Sequence, residues 1–97
     1  MKRDAIMIKG QDNVATALRD LEPKETVTVG IGTKSKRILI HERIPYGHKF
    51  AVQDIEKGEH IFKYGEIIGR ATQEITAGAH AHIHNIESLR GRGDLVS

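Results

Sequence analysis

The chain has 97 residues, no cysteine, and 15 basic against 13 acidic side chains, for a formal net charge of +2. That length suits one small domain with little stability to spare, and it argues against a large enzyme with its own enclosed active site. The composition also excludes a disulfide framework or cysteine-bound cluster, a membrane span of ~18 apolar residues, a signal peptide at Met1-Lys2-Arg3-Asp4, and a strongly basic nucleic-acid surface. Lys34, Lys36 and Arg37 form one small basic group and Arg90 and Arg92 another; both read as solvated surface. The expected location is the cytoplasm.

Short strands and turns dominate the predicted elements. Ala5-Ile6-Met7-Ile8 is a brief apolar run that ends in a turn at Gly10-Gln11-Asp12-Asn13. Val14, Ala17, Leu18 and Leu21 follow helical spacing with Asn13 as an N-cap, whereas Val14, Thr16 and Leu18 follow strand spacing; periodicity alone leaves both open. The alternating run Thr26 to Ile31, the turn Gly32-Thr33-Lys34-Ser35 and the return Arg37 to His41 read as a hairpin. A second turn at Pro45-Tyr46-Gly47 precedes predicted strands at Lys49 to Val52, His60 to Lys63, Ile67-Ile68 and Ala81 to Ile86. From Ser88 onward the pattern stops, so the domain is expected over residues 1–87 and a linker-like tail over 88–97. Arg92-Gly93-Asp94, an adhesion-like string, belongs to that tail.

A phrase of eight residues recurs at Asp20–Val27, Asp54–Ile61 and Glu74–Ala81: acidic, apolar, two variable, turn residue, two more, apolar. Its content is a tight turn pinned by apolar residues on both sides, with glycine at the fifth place in the later two copies and Lys24 in the first. The irregular spacing excludes a solenoid and points to a compact β fold of short strands and loops.

Six histidines stand in the chain. His80, His82 and His84 alternate with Ala81 and Ile83, and Asn85 follows. On one strand the three imidazoles share a face, with Ala81 and Ile83 toward the core. Neutral imidazole is a good ligand for zinc, iron, nickel or copper. Residues i and i+2 lie about 6.8 Å apart along a strand and can share an ion, whereas i and i+4 lie about 13 Å apart and cannot unless the strand bends. His82 with one neighbour is therefore the expected core of a metal site completed from elsewhere; the plainer alternative is a polar strand face. Gly47-His48-Lys49 sets an imidazole beside an ammonium at a strand entrance, suited to proton transfer and to neutralising a carboxylate. His41 and His60 are single histidines on predicted strands. No nucleophile elbow, phosphate loop or dinucleotide fingerprint occurs.

Several strings in order carry a resemblance: Ile44-Pro45-Tyr46-Gly47-His48-Lys49, Asp54-Ile55 with Lys57-Gly58-Glu59, Lys63-Tyr64-Gly65-Glu66-Ile67-Ile68-Gly69-Arg70-Ala71-Thr72, Ile75-Thr76-Ala77-Gly78 and His80-Ala81-His82-Ile83-His84-Asn85. Together with Asp12-Asn13-Val14-Ala15 and Asp20-Leu21, they are similar to the small SAF-type domain of the altronate dehydratase family. Ala79 departs from a glutamate expected in many relatives. The resemblance implies a mainly β fold of the β-clip (antifreeze-like) type, which favours strand over helix at Val14 to Leu18. It implies β-elimination from a small hydroxy acid: loss of water from altronate or galactarate, or of sulfite from sulfolactate. It also implies a divalent metal, with iron expected and zinc or manganese as alternatives, and a large catalytic dehydratase subunit as partner, with self-association a further option. On this reading His80, His82 and His84 are metal ligands, His48 and Lys49 act near the substrate anion, and Asn85 contacts substrate. The rival class is a non-catalytic binding or assembly module.

Overall fold

The computed structural model describes residues 3–89. It contains nine strands: β1 (Ala5–Met7), β2 (Val14–Ala17), β3 (Thr26–Ile31), β4 (Lys34–Leu39), β5 (Lys49–Ala51), β6 (His60–Lys63), β7 (Glu66–Ala71), β8 (His80–Ala81) and β9 (Ile86–Ser88). No helix occurs among the described residues, so none there is long and apolar enough to cross a membrane. Six strands form a sheet in the order β4-β3-β1-β2-β5-β8, and three form a second in the order β6-β7-β9.

The ambiguous segment after Asn13 is strand. β2 pairs antiparallel with β1 on one side and β5 on the other, so sheet neighbours on both edges decide what periodicity left open. Asn13 caps no helix. Its side-chain amide donates to the His60 carbonyl at 2.9 Å, and its Oδ1 accepts from the Phe62 amide at 2.8 Å, tying β2 to β6. Neighbouring Asp12 is equally buried and accepts from four backbone amides, those of Ile8, Lys9, Tyr64 and Gly65. The pair clips the first turn of the chain onto the β6–β7 hairpin.

The predicted hairpin is β3–β4, paired from Thr26↔Leu39 to Ile31↔Lys34 across a turn with Gly32 at φ 59°. Its return strand starts and ends earlier than expected, and His41 lies beyond it. β4 is a sheet edge on which only Ile38 is buried; Lys34, Lys36 and Arg37 face solvent, a charge pattern that discourages edge-to-edge pairing.

The repeated phrase forms the same turn each time. The amide at the sixth place donates to the carbonyl at the third: Glu25 to Glu22, Glu59 to Glu56, Ala79 to Thr76. The fifth residue has φ of 75°, 92° and 90° at Lys24, Gly58 and Gly78. A fourth copy, Arg43–Phe50, was hidden in the sequence because it opens on arginine; His48 donates to Pro45 and Gly47 has φ 82°. The four turns associate in two pairs. Leu21 and Ile44 exchange both backbone hydrogen bonds, and so do Ile55 and Ile75. In each pair an aspartate caps the partner turn: Asp20 accepts from the Tyr46 amide, and Asp54 from the Ala77 amide. The apolar residues at the second and eighth places are all buried, which is why the phrase is pinned to the core.

The core has two parts. One gathers Leu21, Val27, Val29, Ile40, Ile44 and Phe50, and the other Val14, Ile55, Ile61, Ala71, Ile75 and Ala81. Gly78 is under tight constraint, because a Cβ there would collide with the Leu39 carbonyl oxygen.

The predicted strand Ala81 to Ile86 is corrected. The chain leaves the six-stranded sheet after Ala81, turns, and enters the three-stranded sheet at Ile86. Ile83 consequently stands 84% exposed instead of facing the core. Ser88 pairs with Gly69, and the Leu89 amide donates to Ile68, so the start of the expected tail belongs to the sheet. Residues 90–97, including the Arg92-Gly93-Asp94 string, lie outside the described residues.

Candidate metal and anion site

The site forms where the two turn pairs meet. β5 follows the turn at Gly47, β8 follows the turn at Gly78, and they pair through Lys49↔Ala81 and Phe50↔His80. Phe50 and Ala81 are fully buried, and this anchors the strand ends that carry His48, Lys49 and His80. The His80 amide is held by Glu42 Oε2 at 3.0 Å.

His48, His80 and His82 converge. Each offers one ring nitrogen, and the three atoms lie within 4.8 Å of one another. His48 Nδ1 is 2.9 Å from His80 Nε2. The rings stack, with centroids 4.5 Å apart for His48–His82, 5.1 Å for His48–His80 and 5.2 Å for His80–His82. His84 lies outside this trio in the turn, tilted against His80 at 5.4 Å. His41 and His60 are also outside it.

Three converging imidazoles are a suitable donor set for a divalent transition metal. Bonds of about 2.1 Å allow two ligands of one ion to be at most about 4.2 Å apart, so small ring rotations close the set. Burial, and then the neighbouring imidazoles, push the His80 pKa below its usual value. Burial, and then His48, Lys49 and His84, do the same for His82. Both shifts favour the neutral form that ligates metals.

Asn85, the expected substrate contact, is engaged with backbone. It is 5% exposed, and its Nδ2 donates to the His80 carbonyl at 2.8 Å while Oδ1 accepts from the His82 amide at 2.9 Å. The His82 carbonyl in turn accepts from the Asn85 and Ile86 amides. This closed bend, and no extended strand, sets the spacing of His80 and His82.

Beside His82 opens a pocket of about 330 Å³ lined by Lys49, Lys63, Tyr64, Ile68, Ile83, Ile86 and Ser88. Burial, and then the charge of Lys63, lower the Lys49 pKa. Sequence reasoning singled out Lys49 but missed Lys63, which comes from the other sheet. No local pattern signals that meeting. The approach of His48 to His80 had a signal in the paired turns, but it was masked by Arg43.

The SAF domain of altronate/galactarate dehydratases matches residues 3–89. Altronate dehydratase of Escherichia coli (strain K12) is 42% identical over 80 residues, covering 82% of this chain and 15% of that protein. Altronate dehydratase of Bacillus subtilis (strain 168) is 40% identical over 84 residues, covering 86% and 16%. The (2R)-sulfolactate sulfo-lyase subunit alpha of Chromohalobacter salexigens is 41% identical over 51 residues, covering 53% of this chain and 54% of that one. The chain thus spans about a sixth of the two dehydratases and about half of the sulfo-lyase subunit. With the match running over nearly its whole length and an all-strand structure of the β-clip type, the chain belongs to the altronate/galactarate dehydratase SAF-domain family, a family of lyase-related domains.

Proposed function

We propose that this chain is the small SAF-type subunit of a cytoplasmic, metal-dependent hydro-lyase that removes water by β-elimination from a sugar acid such as altronate. The observation that carries the reading is the convergence of His48, His80 and His82 beside a pocket holding Lys49 and Lys63. A divalent metal, taken to be iron, with zinc or manganese as alternatives, would stabilise negative charge on the substrate when bound. His48, His80 and His82 would hold it. The pairing of His48 with His80 favours a ligand role for His48 over the proton-transfer role its sequence position suggests. Lys49 attracts and orients the substrate carboxylate. His84, beside the trio but outside it, is the imidazole suited to moving a proton at this edge. Asn85 keeps the His80–His82 bend closed. The remaining groups for elimination belong to a large catalytic subunit, since the relatives named altronate dehydratase are more than five times as long as this chain.

The sulfolactate reading has its own support, because two relatives of a size comparable to this chain are named subunit alpha of a sulfo-lyase. One experiment separates the readings. The chain is mixed with its candidate large subunit and ferrous iron, and altronate, galactarate and sulfolactate are assayed with each component omitted in turn. Activity that requires both chains is the expected result, and the substrate turned over names the reaction. Full activity of the large subunit alone, or no activity with a folded and metal-loaded partner, rejects the catalytic subunit and leaves a binding module.

A further inference from the structure

The pocket beside His82 draws on both sheets: Lys49 from β5, Lys63 from β6, Ile68 from β7, and Ile86 and Ser88 from β9. No acidic residue among those described lines it. Among the described residues, neither ammonium is ion-paired; the five ion pairs all use arginine. Lys63 Nζ instead lies 4.8 Å over the Tyr64 ring, and Lys49 is partly buried at the strand entrance. Two ammonium groups sharing one concavity repel each other. Ile68, Ile83 and Ile86 displace water around them and strengthen any interaction with an anion. An anion between the lysines relieves the repulsion and supplies the missing countercharge.

We infer that Lys49 and Lys63 together form a carboxylate-binding site for a small acid, contributed wholly by this chain and occupied without any metal. The inference rests on the reading above and deepens it by adding Lys63 as a substrate-anchoring residue. The two-sheet construction matters: Lys63 reaches the site only because β6 packs beside β2, so the anion also bridges the sheets.

The test is an NMR titration of the full chain in chelator, with glycolate as the probe and glycolamide as its uncharged counterpart. Glycolate is expected to shift the amides of Lys49, Lys63 and Ser88 saturably, and glycolamide to leave them unmoved. Lys49→Gln and Lys63→Gln should each weaken glycolate binding by roughly three- to tenfold, and Lys63→Arg should restore most of it. Absence of a saturable glycolate shift, or unchanged binding in the Lys49→Gln/Lys63→Gln double variant, overturns the proposal. Cobalt(II) binding to the same chain reads the histidines alone. Its failure would reject the metal reading while glycolate binding stood, so the two failures are distinguishable.

Discussion

His48 Nδ1 and His80 Nε2 lie 2.9 Å apart although 32 residues separate them in the chain. The contact exists because two copies of one turn lead into β5 and β8, which pair side by side. The two ring nitrogens share one hydrogen bond, and under the proposed metal reading both would face the ion.

Removing one member of the trio should show in metal affinity before anything else. His48→Ala, His80→Ala and His82→Ala are each expected to lower cobalt(II) affinity at least about a hundredfold, since one of three donors is lost. His84→Ala should change it little. Calorimetric titration of the four variants checks this, with unfolding midpoints as a control for the fold. Equal losses at His84 and His82 would reject the assignment of the trio.

Asn85→Ala should destabilise the domain by about 1–3 kcal/mol, because the His80 carbonyl and the His82 amide lose their partner in a buried place. Asn85→Asp keeps the acceptor for His82 but loses the donor to His80, and should fall between. Urea unfolding measures the order. If Asn85 contacted substrate alone, both variants would unfold like the wild type.

The repeated turn gives paired substitutions. Gly78→Ala faces both a positive φ and the Leu39 carbonyl, whereas Gly47→Ala faces the φ alone, with open space around it. The second should cost about 1–2 kcal/mol and the first clearly more. Lys24→Gly removes the strain of a non-glycine residue at φ 75° and should be neutral or stabilising by up to about 1 kcal/mol. Thermal unfolding of the three variants tests the ranking.

Acid should loosen the Asp20–Val27 turn around Glu25. Hydrogen bonding from Arg19, and then from the Glu22 amide, holds the Glu25 carboxyl below its ordinary value of 4.5. A carboxylate with a lowered folded-state pKa stabilises the fold above its unfolded pKa, and that contribution is lost as pH falls through the folded value. Glu25→Gln should therefore flatten the decline in stability below about pH 4.5 relative to wild type. Unfolding curves at pH 3, 4, 5 and 7 would show it; parallel curves for both proteins would reject the role of Glu25.

The Thr26–Ile31 alternation, the Gly32 turn and the glycines at 58 and 78 were legible in the sequence because each depends on local backbone preference and on period-two burial. The all-strand architecture followed from them together with the family resemblance. The segment after Asn13 was not decided locally. Its spacing satisfies helix and strand alike, and the hydrogen bonds from β1 and β5 settle it.

The histidine alternation offered a candidate ligand set in the amino-acid order alone, since imidazole chemistry belongs to the residue type. Membership of the set was a tertiary matter. An extended strand would have put His80, His82 and His84 on one face, but the Asn85 side chain closes the segment into a bend with His84 in the turn, and the pairing of β5 with β8 brings His48 to His80 and His82. Lys63 meets Lys49 only where the two sheets pack. Local order determined which chemistries this protein carries; long-range pairing, which burial of Phe50 and Ala81 drives, decided which residues share a site.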